Sequence, residues 1–129
     1  MKLKDQVAVV TGAGRGIGEA SALSLAKEGA QLVIASRTRT ELNLVASRIR
    51  DIGHRVEIVE ADVSKKEDVQ RLIERSLQIS GHIDVLVNAA GIYGPIGPSW
   101  EVDVDAWANA IQINLVGTFM CCHAALPRM

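Results

Sequence analysis

The 129 residues predict an α/β fold, a doubly wound open parallel sheet of four strands and four helices, on three observations. Four short apolar runs, Val7 to Thr11, Gln31 to Ser36, Val56 to Ala61 and Ile83 to Val87, lack strict polar/apolar alternation, as do strands covered on both faces. Each run is followed by a stretch with helical spacing, so strands and helices alternate and right-handed crossovers join parallel strands. The first run, moreover, passes directly into a turn with glycine at positions 12, 14, 16 and 18. There are no repeats, low-complexity tracts or linkers, so residues 1–129 read as one domain.

The first helix is expected from Gly16 to about Glu28. Ile17, Ser21 and Leu25 share one stripe, and the small residues Gly18, Ala22 and Ala26 share the adjacent one, which lets the helix lie close to the sheet. Gly29 can supply the left-handed position that ends it. After the second strand, Thr38-x-x-Glu41 has the spacing of a capping box and opens a helix to about Ile52. After the third, Ser64-x-x-Glu67 repeats that pattern and opens a helix to about Ile79, before Gly81. The fourth strand ends in Asn88-Ala-Ala-Gly91, and a Gly/Pro loop, Gly94 to Pro98, follows. Asp103 then caps a long helix from Val104 towards Pro127, along which Val104, Ala108, Ile111, Leu115, Phe119, Cys122 and Leu126 trace one apolar face.

Composition excludes several functions. A net charge of −1, with acids and bases interleaved, offers nothing to nucleic acid or an anionic membrane. No apolar run is expected to reach the length of a membrane span, and Met1 to Asp5 lacks a signal-peptide core, so a cytoplasmic protein is expected. Cys121 and Cys122 read as core thiols. His123 beside them makes no metal site, because adjacent helical residues point in different directions.

The glycine turn is the stretch with chemical meaning. Closely spaced glycines let backbone approach a pyrophosphate, and the following helix directs its free N–H groups and positive dipole end at the anion. In this setting Thr11-Gly12-x-x-x-Gly16-x-Gly18 resembles the T-G-x-x-x-G-x-G turn of the short-chain dehydrogenase/reductase family, which implies a Rossmann-like sheet truncated here before the fifth strand. The resemblance implies that Thr11, Gly12, Gly14, Arg15, Gly16, Ile17 and Gly18 surround the cofactor phosphates. No acid ends the second strand; Ser36 and Arg37 stand there, and Arg15 lies within the turn, a pattern similar to members that favour NADP(H) over NAD(H). Asp62 and Val63 match the pair set against adenine. Asn88, Ala89, Ala90 and Gly91 resemble the family's N-N-A-G turn, with Ala89 replacing its second Asn; Gly91 reads equally as a ribose contact and as a turn glycine.

Asn114, in Ile113-Asn-Leu-Val-Gly117, matches the helix asparagine of the family's Asn-Ser-Tyr-Lys tetrad, where it supports a water chain to the catalytic lysine. Tyr93 has Gly97 four residues on, not lysine, and reads as loop packing. The last serine is Ser99 and the last lysine Lys66. The expectation is therefore an N-terminal part of an NADP(H)-dependent oxidoreductase for small carbonyl or alcohol substrates, inactive by itself, with a non-catalytic nucleotide-binding or assembly module as the alternative. An apolar fourth-strand edge and the long helix, part of the family's subunit interface, imply a homo-oligomer.

Overall fold

In the computed structural model, which describes residues 1–129, β1 (Val7–Thr11) is flanked on both sides and all five of its residues are buried. The other elements are α1 (Gly16–Lys27), β2 (Gln31–Ser36), α2 (Arg39–Asp51), β3 (Val56–Glu60), α3 (Lys66–Ser80), β4 (Val85–Asn88), α4 (Val104–Ile111) and α5 (Thr118–Ala125). A π-helical turn, Gln112–Gly117, joins α4 to α5, and a 3-10 turn, Leu126–Arg128, ends the long helix. The four strands are parallel in the order β3-β2-β1-β4, with Val9 opposite both Val33 and Leu86.

The period of two along β1 explains why it carries no polar face. Ala8 and Val10 enter a core with Ala22 and Ala26 of α1 and with Leu42, Val45 and Ile49 of α2. Val9 points the other way, into a core with Leu72 and Ile73 of α3 and Ala125 of α5. Strand order reverses between β2 and β4 on either side of β1, so helices leave on opposite faces and a crevice opens at the carboxyl ends of the strands.

Several local expectations are corrected. β3 stops at Glu60, although the Ala61 N–H still reaches the Ser36 carbonyl at 2.9 Å. β4 begins at Val85 because Asp84 is tied to β1 by its carboxylate, which accepts the Val7 N–H at 2.7 Å. Neither capping box forms. Ser36 Oγ takes the Thr38 N–H at 3.1 Å, and the Thr38 side chain caps nothing. Ser64 is held by Asp62, whose Oδ1 accepts both its N–H (2.9 Å) and its hydroxyl (2.6 Å), and the α3 N-cap is Lys65. Local Ser and Asp turns outcompete the box at both places.

The largest correction concerns the long helix. Asp103 does cap it, accepting the Ala106 N–H at 2.8 Å. Its buried residues, however, are Ala110, Ile113, Gly117, Cys121 and Ala125, whereas Val104, Leu115, Phe119 and Leu126 of the expected face are exposed and Cys122 is half-buried. Small side chains admit the helix to the sheet, and the apolar circumference hid which stripe would be used. The helix Val104–Arg128 is also long and apolar enough, by length and composition, to cross a bilayer, contrary to the sequence expectation; one of its faces packs on the sheet. Tyr93 is corrected too: at 98% exposure it does no loop packing.

Candidate functional site

The crevice is a cleft of about 870 Å³. Gly12, Gly14, Arg15, Gly16, Ile17 and Gly18 line one end, and Ser36, Arg37, Asp62 and Val63 one wall. Asn88, Ala89, Ala90, Gly91 and Asn114 line the remainder. Every candidate residue from the sequence therefore meets here except Thr11. That residue is buried beneath the cleft, where its hydroxyl accepts the Ala90 N–H at 3.3 Å and contacts the Val87 carbonyl at 3.5 Å, bracing β1 to the end of β4.

The glycines divide the work. At Gly18 a Cβ would stand 2.0 Å from the Gly12 carbonyl oxygen, and at Gly12, with φ +61°, it would meet Ala90 N at 2.5 Å. These two allow α1, β1 and the end of β4 to touch. Gly16 differs: its φ is +58°, yet nothing lies within 4 Å of where its Cβ would be, so its constraint is conformational and its surroundings are open. Arg15, the N-cap of α1, is extended (φ −164°, ψ 173°) and offers no side-chain cap. An uncapped helix start opening on free space fits an anionic oxygen cluster, the pyrophosphate of a dinucleotide included.

Along the wall, Ser36 ends β2 and Arg37 is exposed beside it. Burial works to raise the Asp62 carboxyl, but the hydroxyl and N–H of Ser64 and the charges of Arg37 and Lys65 outweigh it and hold the group below its ordinary value. Asp62 is thus ionised and oriented. Past Arg37 the cleft runs into a second groove of about 700 Å³ over β3, where Arg39, Lys65, Arg71 and Arg75 face Glu60 and Asp68.

The far end depends on the π-helical turn. Such a turn frees a backbone position within a helix and commonly marks a functional site. Asn114 uses its whole amide on one residue: Oδ1 accepts the Ile92 N–H at 2.8 Å, and Nδ2 donates to the Ile92 carbonyl at 2.7 Å. Its own carbonyl accepts the Thr118 hydroxyl at 2.8 Å. Gln112 Nε2 donates to the Ser64 carbonyl at 3.2 Å, and a Cβ on Gly117 would stand 2.9 Å from Val63 Cγ2. One turn therefore holds both the Val63 loop and the Ile92 loop. Asn88 donates from Nδ2 to Cys122 Sγ at 3.3 Å, while its Oδ1 is buried without a partner. Burial, then the neighbouring Cys122, push the Cys121 thiol up to about 11, which keeps it an inert core group.

Sequence reasoning missed Glu41, Gln112 and Gly117 at this site. The Asn-x-x-Gly spacing in a helix carried a signal for the last, since glycine inside a helix usually has a packing reason. Glu41 was hidden by its place in an apparent capping box.

Comparison with known proteins places this geometry. The family model for short chain dehydrogenase matches residues 6–129. An uncharacterized oxidoreductase of Staphylococcus aureus (strain MRSA252) is 42% identical over 129 residues, covering 98% of this chain and 54% of that protein. A metagenomic short-chain oxidoreductase crystallised with NADP superimposes with a TM-score of 0.95 at 35% identity, over 100% of this chain and 58% of its own. An NAD+-bound xylitol dehydrogenase does so with a TM-score of 0.97 at 32% identity, over 100% of this chain and 50% of its own. The chain spans about half the length of the curated relatives it matches.

Proposed function

Because this chain belongs to the short chain dehydrogenase family, we propose that residues 1–129 form the dinucleotide-binding domain of an NADP(H)-dependent oxidoreductase acting on a small carbonyl or alcohol in the cytoplasm. When bound, the nicotinamide supplies or accepts the hydride. The observation that carries the reading is the uncapped start of α1 over the open side of Gly16. There Gly14, Arg15, Gly16 and Ile17 bind the phosphates, Ser36 and Arg37 the adenosine ribose, and Asp62 and Val63 the adenine. Ala89, Ala90 and Gly91 would bound the nicotinamide half of the cofactor, and Asn114 holds the Ile92 loop at that end of the cleft.

A preference for NADP(H) is supported by Arg15 and Arg37 on the cleft wall, since a guanidinium pairs bidentately with phosphate oxygens. The neighbours with NADP and with NAD+ differ on this point, so the preference rests on this chain's own residues. Calorimetry with NADP+ and NAD+ tests it. The expected result is tighter NADP+ binding, with Arg37→Ala costing about 1.5–3 kcal/mol for NADP+ and little for NAD+. Equal affinities, or no binding of either, overturn the reading.

A second reading, a nucleotide-binding or assembly module without turnover, is favoured by Tyr93, which is fully out in solvent and is followed by Gly97 where a partner lysine would stand. On this reading the 129 residues bind cofactor but do not turn it over, because no group can hold and deliver the proton at the alkoxide oxygen. Saturable NADPH oxidation by this chain with any of a panel of ketones would refute that. Self-association is supported by exposed Trp107, Leu115 and Phe119 on the long helix and by the half-exposed β4, and sedimentation showing a stable monomer would remove it.

A further inference from the structure

We infer that Glu41 is a specificity-determining residue of the cleft: its carboxylate reaches in from the first turn of α2, accepts hydrogen bonds from an unphosphorylated ribose and opposes a 2′-phosphate. The inference rests on the dinucleotide reading and deepens it.

Three observations carry it. In a capping box the Glu41 side chain would turn back to the Thr38 N–H, but Ser36 Oγ already holds that N–H at 3.1 Å, so the carboxylate is released. It lies instead over the glycine turn. A Cβ placed on Gly14 would stand 2.8 Å from Glu41 Oε2 and 3.2 Å from Ser36 Oγ, which puts the carboxylate beside the residue that ends β2, on the wall of the cleft. Finally, Glu41 is half-buried and belongs to none of the molecule's four ion pairs, although Arg15 and Arg37 line the same cleft.

The chemistry follows from charge and hydrogen-bonding capacity. An ionised carboxylate accepts and never donates, so vicinal ribose hydroxyls suit it and a doubly charged phosphate does not. The two arginines act in the opposite sense. Cofactor choice is then the difference between Arg15 with Arg37 and Glu41, all lining one cleft, and Glu41 supplies from α2 the acid that the end of β2 lacks.

The test uses 5′-AMP and 2′,5′-ADP, which differ only at the ribose 2′ position, titrated into the full chain. Glu41→Gln should raise the preference for 2′,5′-ADP over 5′-AMP by about tenfold, equivalent to about 1.4 kcal/mol. Glu41→Ala should shift it in the same direction, which excludes a gain from the new amide. The shift should shrink in high salt as the repulsion is screened. Thermal melting of each variant checks that it is folded. A wild-type chain that binds both probes, with the ratio unmoved in both variants or moved the other way, overturns the role of Glu41 alone. A wild-type chain that binds neither overturns the dinucleotide reading and the inference with it.

Discussion

The two ends of the cleft are built from different materials. At the glycine end the contacts are backbone against backbone: Gly18 fits only because the Gly12 carbonyl occupies the place of its Cβ, and β1 beneath it is wholly buried. At the far end the contacts are side chain against loop. Asn114 holds Ile92 by two hydrogen bonds across 22 positions of sequence, and the next residue, Tyr93, stands in solvent. A backbone-built end fails by steric collision when changed, while a side-chain-built end loses a hydrogen bond or two. The two should therefore differ in how much they lose and in whether the loss is global or local.

The largest effect is expected from Gly18→Ala. With 2.0 Å to the Gly12 oxygen the helix must move off the strand, and about 3 kcal/mol of unfolding free energy should go. Gly16→Ala sharpens the contrast, since its Cβ meets nothing and only the positive φ penalises it, by about 1–2 kcal/mol. Urea denaturation of the pair checks this; equal losses would mean that the glycine end is not governed by contact.

Asn114→Ala should lose two hydrogen bonds, about 1–2 kcal/mol at most, and the loss should be local. Hydrogen exchange at the Ile92 amide should speed up while amides of β1 keep their protection. Uniform loss of protection would erase the distinction between the ends.

A smaller effect is expected from acid. Asp62 binds its proton less readily folded than unfolded, so the unfolded chain takes up more protons as pH falls. Its contribution is present above the ordinary value of 3.8 and is lost as pH falls through the lower folded value. Denaturation across that range should show a fall in stability that Asp62→Asn flattens, and parallel slopes in the two proteins would contradict it. Smallest of all, Tyr93→Ala should leave stability within about 0.5 kcal/mol, read by the same denaturation, because the ring packs on nothing.

Much of the glycine end was legible in the sequence, since it consists of local spacings. A buried strand, glycines at fixed intervals and the small stripe Gly18, Ala22, Ala26 lie within one short segment, and all three stripe residues are buried as read. Thr11 was placed in the right segment but on the wrong side, because facing the cleft or bracing β4 depends on where β4 runs. The far end was less legible. Asn114 was found by its neighbours in sequence, but its partner Ile92 was not, and neither were Gln112 and Gly117, whose partners lie on the β3–α3 loop.

What the sequence by itself determined is the set of strands and helices, the parallel sheet and the glycine turn between β1 and α1, because each follows from backbone constraints and side-chain periodicity within a few consecutive residues. What only the tertiary structure decided is which stripe of the long helix meets the sheet and where a released side chain such as Glu41 comes to rest. That helix is apolar on more than one stripe, and the stripe with the small residues Ala110, Gly117, Cys121 and Ala125 is favoured over the one with Leu115 and Phe119 only once a sheet is close enough to exclude larger side chains. Glu41 loses its capping partner to the local Ser36–Thr38 turn, and its place beside Gly14 exists only because β1 and β2 pair in the folded sheet and bring the two segments together.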